Sequence, residues 1–224
     1  MNRVVLIVMI LCAGIVAFLF VNRPVDSPVI EVEPSQDLRS RLVELGYEEG
    51  YPEQILIAAF KEEQILEVYA VKDRGFKLIK KYPFTAFSGV VGPKLKEGDR
   101  QIPEGVYKIE YLNPNSSYHL SVKVSYPNAF DIEKSELPTV EAMGGDIFIH
   151  GKAVTIGCIP LGDAAIEEVY LLTEKAFAKE VKVIIAPRDF RVNPDYPEVD
   201  FVDWEGELYD SIVEELNQIS FDHA

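Results

Sequence analysis

Short apolar runs, some alternating with polar residues, extend through most of the chain after residue 50. β-Branched and aromatic residues fill these runs, and charged or glycine-containing stretches separate them, which is typical of antiparallel strands joined by turns. A later apolar run ends at Pro187 and predicts a central strand. The predicted strands cover residues 55–60, 64–71, 76–84, 105–112, 119–126, 146–149 and 181–186.

The spacing of apolar residues becomes helical in three places. Residues 37–45 predict a short helix with Asp37 as its N-cap, and residues 163–178 predict a longer helix with Asp163 as its N-cap. The predicted fold class is therefore mainly β with a few packed helices. A last amphipathic helix is marked by Leu208, Ile212, Leu216 and Ile219.

The chain begins with an apolar segment long enough to cross a bilayer. Residues 4–21 contain no charge and no proline, and as a helix they would extend about 27 Å. The residues that follow offer no small-residue cleavage site, so a membrane anchor is favoured over a cleaved signal peptide. Arg3 precedes the segment, whereas Arg23 after it is soon followed by Asp26. This charge bias favours an N-terminus on the cytoplasmic side and a globular part on the outer side of the membrane.

The composition of the chain predicts four segments. We expect an anchor over 1–23, a stalk with a short helix over 24–50, a globular domain over 51–192 and a C-terminal extension over 193–224.

The formal net charge is −15, which would repel phosphate groups. Nucleic acid and anionic lipid headgroups are therefore excluded as partners of the globular part, and the N-terminal helix provides its contact with the membrane.

Cysteine and histidine are rare in this chain, with two and three residues respectively. Cys158 is the only cysteine outside the apolar segment, so the globular part has no internal disulfide. His150 precedes it in the same predicted strand-and-loop unit, and a nearby imidazole can activate a thiol by taking its proton. The alternative is a small buried thiol without a chemical role. Dispersed histidines and a single cysteine argue against a metal site.

A long connection over residues 88–105 is rich in glycine, proline and charges of both signs. Loops of this length inside a compact domain are often functional. Its cations, Lys94, Lys96 and Arg100, could hold a substrate carboxylate. An exposed, solvated loop is the alternative.

Three segments, in this order, are similar to the YkuD-type L,D-transpeptidase domain and most similar to its YafK-like subgroup. They read SGVVGPKLKEGDRQIPEGVY, LNPNSSYHLSVKVSYPN and GGDIFIHGKAVTIGC, within a similarity that covers about residues 54–191. The resemblance implies a β-sandwich or barrel-like catalytic domain in the cell envelope, outside the cytoplasmic membrane. It further implies an enzyme that acts on the peptide stems of peptidoglycan without a cofactor.

The resemblance also implies roles for individual residues. In that family a cysteine attacks an amide carbonyl next to diaminopimelate and forms a thioester, with a histidine as base; these positions are Cys158 and His150 here. Gly157 would let the backbone turn so that N–H groups, including that of Cys158, face the developing oxyanion. Thr155 stands where the family has a serine and would support His150 or the loop through its hydroxyl.

Four further residues are predicted to bind substrate. Tyr118 and His119 belong to a stretch that the YafK-like subgroup shares, and Gly151 completes the His-Gly motif. Arg100 could bind a carboxylate from the long loop.

Two departures from the family pattern leave the reaction open. The family usually has an arginine two residues after the cysteine, where this chain has Pro160, so Arg100, Arg188 or Arg191 would have to replace it. The interval between the histidine and the cysteine is also short. Three alternatives follow: transfer that forms cross-links, hydrolysis of bonds to diaminopimelate including those that join proteins to the wall, and an inactive wall-binding module.

Overall fold

The fold is known from a computed structural model that describes residues 32–73 and 75–220. This part of the chain contains eight strands in one curled sheet, together with a few helices. The prediction of a mainly β fold is therefore confirmed. The strands are β1 (Ile55–Phe60), β2 (Ile65–Lys72), β3 (Gly75–Pro83), β4 (Gly105–Asn113), β5 (Ser121–Val124), β6 (Phe148–His150), β7 (Ile159–Pro160) and β8 (Lys182–Ala186).

The strand order across the sheet is β3-β2-β1-β8-β4-β5-β6-β7. The first three strands form the predicted antiparallel meander. Strand β8 inserts between β1 and β4, parallel to β1 and antiparallel to β4. At the other end of the sheet, β6 and β7 pair in parallel. Strand β8 thus joins β1 and β4 from a distant part of the chain, and the single sheet forms only when these parts meet.

Helices cover both faces of the sheet. Strand β1 is buried along its whole length, because its alternating side chains enter two different cores. One core also contains residues of the helices Gln36–Glu44 and Asp163–Ala176, and the other contains residues of the helix Glu205–Ser220. The helices are α1 (Gln36–Glu44), α2 (Ala129–Lys134), α3 (Asp163–Ala176) and α4 (Glu205–Ser220), with a 3₁₀ helix at Val140–Met143.

Both predicted N-caps differ from those observed. Ser35, not Asp37, caps α1, because the Ser35 hydroxyl accepts a hydrogen bond from the backbone N–H of Leu38. Helix α3 has Gly162 as its N-cap, and Asp163 is the first helical residue. The carboxylate of Asp163 accepts from the backbone of a neighbouring loop instead, a contact that local spacing could not show.

In residues 32–73 and 75–220 we find no helix that is both long and apolar enough to cross a membrane. The anchor predicted over 1–23 and the first part of the predicted stalk lie outside the described residues. The second part of that stalk is helix α1, whose Leu38 and Leu42 are buried in the main core.

Candidate active site

His150 and Cys158 lie at the end of the sheet formed by β6 and β7. The register pairs Ile149 with Ile159 and His150 with Pro160. Cys158 comes directly before β7, one residue before Ile159. The pairing of β6 with β7 therefore brings the chain segments that carry Cys158 and His150 next to each other.

The imidazole of His150 is buried and has a defined tautomer. Its Nδ1 lies 2.6 Å from the carbonyl oxygen of Gly151, and a carbonyl can only accept, so Nδ1 carries the proton. The other ring nitrogen, Nε2, is then a free base. The ring of Tyr118 covers the imidazole, with 4.6 Å between the ring centroids. Burial lowers the pKa of His150, while the hydrogen bond to Gly151 opposes this shift.

The thiol of Cys158 is partly exposed and lies against the backbone that leads into β6. Its Sγ is 3.5 Å from the carbonyl oxygen of Asp146. Burial raises the pKa of Cys158 and the Asp146 carboxylate raises it further, against the backbone N–H of Phe148 and the Lys94 ammonium. Within the described residues, no hydrogen bond joins the thiol to His150. The raised pKa of the thiol and the lowered pKa of the imidazole both favour the neutral forms of these groups.

Thr155 organises the loop that carries the thiol. Its hydroxyl oxygen accepts from the backbone N–H of Cys158 at 2.8 Å and from that of Gly157 at 3.1 Å. The same hydroxyl donates to the carbonyl of Cys158 at 2.7 Å. The expected support of the loop is therefore observed. The expectation that the Cys158 N–H faces an oxyanion is not met in this structure, because Thr155 occupies that donor.

Gly157 brings the long loop against the cysteine. Its φ of +132° lies in the region that favours glycine, and a Cβ at this position would be 3.0 Å from the carbonyl oxygen of Gln101. Arg100 adjoins this contact, and its exposed side chain makes no hydrogen bond or ion pair with the described residues. Lys94 is already bound to Asp99 at 2.7 Å. Arg100 is thus the better placed of these two cations for a substrate carboxylate.

The late arginines are bound to carboxylates of the fold. Arg191 binds Glu67 and Asp189, each at 2.7 Å. Arg188 binds Glu62 at 2.6 Å. Of the three arginines that could replace the family arginine, Arg100 is therefore the one most available to a substrate carboxylate.

Gly151, which follows His150, packs closely against the segment that contains Tyr118 and His119. A Cβ on Gly151 would lie 2.6 Å from the carbonyl oxygen of Tyr118 and 2.7 Å from Oδ1 of Asp163, so only glycine fits. His119 was expected on a strand, but it lies in a turn with φ +75°, and its Nε2 is 2.7 Å from Oε1 of Glu167. The pair with Glu167 and the contact with Asp163 had no signal in the sequence, because helix α3 supplies both carboxylates from a later part of the chain.

Three comparisons with known proteins show what the chain is similar to. Residues 54–185 match the model of the YkuD family, described as the L,D-transpeptidase catalytic domain. A curated relative from Escherichia coli (strain K12), named "Putative L,D-transpeptidase YafK", is 32% identical over 118 residues, covering 52% of this chain and 46% of the relative. The crystal structure of the helical cell shape determining protein Pgp2 from Campylobacter jejuni is 25% identical, with a TM-score of 0.50 over 67% of this chain and 55% of that one. The matched regions thus span about half the length of these relatives.

Proposed function

Because this chain belongs to the YkuD family of L,D-transpeptidase catalytic domains, we propose that it acts on peptidoglycan stem peptides with Cys158 as nucleophile and His150 as base. The observation that carries the proposal is the register of β6 and β7, which pairs His150 with Pro160, two residues after Cys158. The hydrogen bond from Nδ1 to Gly151, which leaves Nε2 able to take a proton, supports it further.

The first step would be a proton transfer coupled to attack. As Sγ of Cys158 forms a bond to the carbonyl carbon of the stem amide, the thiol proton passes to Nε2 of His150. The C–N bond then breaks, and the same proton goes to the departing amine. The product is a thioester on Cys158 and a neutral imidazole. A stable thiolate–imidazolium pair before substrate binds is disfavoured, because burial raises the pKa of Cys158 and lowers that of His150.

The thioester is then resolved by an amine of a second stem, which forms a cross-link, or by water, which gives hydrolysis. We favour transfer as the first candidate, since it is the activity named for the family. Hydrolysis, including release of wall-attached proteins, is favoured by one observation. Ile159 and Pro160, at the position of the missing arginine, are buried in β7 and place no cation beside the thiol.

Substrate must reach the thiol from outside the domain, and the loop between base and nucleophile is open to solvent. Ile156 is 77% exposed and Val154 is 56% exposed. A polymeric substrate could therefore approach this face. We propose that the domain works outside the cytoplasmic membrane and that residues 1–23 hold it there.

Covalent labelling of the purified full-length protein tests the nucleophile. Cys158→Ala should abolish the mass adduct formed with a carbapenem and all activity on muropeptides. Cys12→Ala is the matched control, since it removes the other cysteine and should leave both readouts unchanged. Retained activity in Cys158→Ala would refute the proposal. Binding of muropeptides by the wild type with neither an adduct nor turnover would instead indicate an inactive wall-binding module.

Product analysis with defined muropeptides separates the two reactions. Dimers or exchanged D-amino acids, read by mass, indicate transfer. Shortened stems without dimers indicate hydrolysis, and a protein-linked muropeptide supplied as substrate tests release of wall-attached proteins.

A further inference from the structure

A hydrogen-bonded pair joins the turn before strand β5 to helix α3, beside the candidate active site. Nε2 of His119 lies 2.7 Å from Oε1 of Glu167. A carboxylate only accepts, so Nε2 carries a proton and His119 donates. Within the described residues, neither side chain forms another hydrogen bond or ion pair. Because Nε2 of His119 is occupied in this way, that nitrogen is not a second base for Cys158.

The backbone of His119 adopts a conformation that costs free energy. Its φ of +75° lies in the left-handed region, which residues other than glycine rarely adopt. Such conformations persist where the surroundings enforce them, and they cluster at functional sites. Two contacts hold this residue: its side chain binds Glu167, and a Cβ on Gly151 would lie 3.1 Å from Cβ of His119. The turn is thus fixed against both helix α3 and the His-Gly motif.

Tyr118, the residue before His119, contacts the candidate base directly. Its ring lies against the imidazole of His150, with 4.6 Å between the ring centroids and 38° between the ring planes. Tyr118 is 44% exposed, whereas His150 is 2% exposed. Tyr118 therefore stands between solvent and the imidazole. The position of its ring decides which way the imidazole can turn and how much water reaches it.

The exposure of the pair argues against a main role in stability. The side chains of His119 and Glu167 are 34% and 43% exposed, and ion pairs at such positions contribute little to folding. The hydrogen bond also forms with a neutral His119, because Nε2 keeps its proton when Nδ1 is the free nitrogen. What the pair fixes is the direction of the His119 side chain, and with it the backbone that carries Tyr118.

We propose that Glu167 and His119 are positioning residues for the base: they hold the Tyr118 ring against His150 and thereby keep the imidazole aligned with the thiol of Cys158. This proposal rests on the proposed function, which assigns the base. Neither residue has to touch the substrate for this role. His119 would act through Tyr118, and Glu167 would act through His119.

Carbapenem acylation of the full-length protein and turnover of muropeptides test this role. Glu167→Ala should lower the acylation rate constant and kcat about tenfold and leave KM within about twofold, because a misplaced catalytic group costs rate rather than binding. Glu167→Gln should retain most of the rate, since its amide oxygen still accepts from Nε2 of His119. Glu174→Ala is the matched control, because it removes a carboxylate of the same helix whose ion pair with Lys175 is comparably exposed. This control should keep the wild-type rates.

Further readouts separate positioning from a merely structural role. His119→Gly accepts the positive φ without strain and should slow acylation as much as Glu167→Ala does, and the double variant should be no slower than either single variant. The lower midpoint of the pH–rate profile should rise in Glu167→Ala, because burial lowers the pKa of His150 and a displaced Tyr118 ring admits water. The urea midpoint of Glu167→Ala should match that of Glu174→Ala.

Three outcomes would overturn the positioning role: equal acylation rates in Glu167→Ala and Glu174→Ala, a change in KM alone, or additive losses in the double variant. A wild type that forms the Cys158 adduct while Glu167→Ala is unaffected would reject the positioning role alone. Absence of the adduct in the wild type would reject the proposed function itself.

Discussion

Lys61 should be among the most sensitive positions in the fold, although it lies outside the candidate site. It is 1% exposed, and its ammonium is 2.9 Å from the Glu104 carboxylate. It also donates to the carbonyls of Gly92 at 2.7 Å and Ile102 at 2.9 Å, both in the long loop. Glu104 in turn accepts from the Tyr209 hydroxyl of helix α4. The ion pair between Lys61 and Glu104 therefore connects the long loop and helix α4 to the end of strand β1.

Lys61→Met keeps the aliphatic stem and removes the ammonium. At the observed separation the gross attraction is about 6 kcal/mol for an effective dielectric constant near 20. Much of it offsets the desolvation of both groups, so the measurable loss is set by the carboxylate left buried without its cation. We expect the free energy of unfolding to fall by about 3–5 kcal/mol. Two unpaired loop carbonyls add to this cost.

Urea denaturation of the full-length protein measures the effect. Wild type, Lys61→Met, Glu104→Gln and the double variant form a cycle, in which the double variant should lose less than the sum of the singles. Lys179→Met is the control, since its ion pair with Glu53 is exposed and should leave the urea midpoint unchanged. A loss below about 1 kcal/mol in Lys61→Met, or additive losses in the cycle, would refute the reasoning.

The remaining predictions concern the candidate site. Thr155→Val should slow carbapenem acylation by about 10²-fold, because two backbone N–H groups lose their acceptor; Thr155→Ser should retain most of the rate, and equal rates in both variants would contradict this role. Acylation should be lost as pH falls through the lowered pKa of His150, since only the neutral imidazole accepts the thiol proton; a rate profile from pH 4 to 8 with its lower midpoint at or above the usual value of about 6.5 would argue against it. Gly157→Ala should lower the free energy of unfolding by about 1–3 kcal/mol, because of its positive φ and its contact with Gln101, and an unchanged urea midpoint would exclude this explanation. Arg100→Ala should raise KM for muropeptides about tenfold without changing the urea midpoint, whereas an unchanged KM would remove Arg100 as a substrate ligand.

Local patterns in the sequence predicted the individual elements well. The run 55–60 predicted β1 because apolar β-branched residues in a short stretch suit a strand buried on both faces. The stretch 119–126 was less successful, since only Ser121–Val124 forms the strand. His119 leaves the strand because its backbone turns to meet Glu167, a residue of a later helix. Alternation along a strand carries no information about such a contact.

For the candidate site as well, the sequence predicted some features and could not predict others. The sequence alone determined the pair of rare residues, His150 and Cys158, because histidine and cysteine are scarce enough for their proximity to be noticed and the motifs around them are specific. It could not decide between Arg100, Arg188 and Arg191. That choice depends on which carboxylates lie within ion-pair distance, and the folded structure shows Arg188 and Arg191 already bound.

Only the tertiary structure decided the protonation and the surroundings of the site. The state of Cys158 and His150 follows from burial and from the Gly151 carbonyl, and the Thr155 hydroxyl takes the N–H that the sequence assigned to an oxyanion. One cavity of the domain is lined both by the long loop and by residues 201–204, about one hundred positions later. Sequence patterns report preferences of a few neighbouring residues, whereas pKa values, donor occupancy and cavity walls depend on groups brought together by long-range packing.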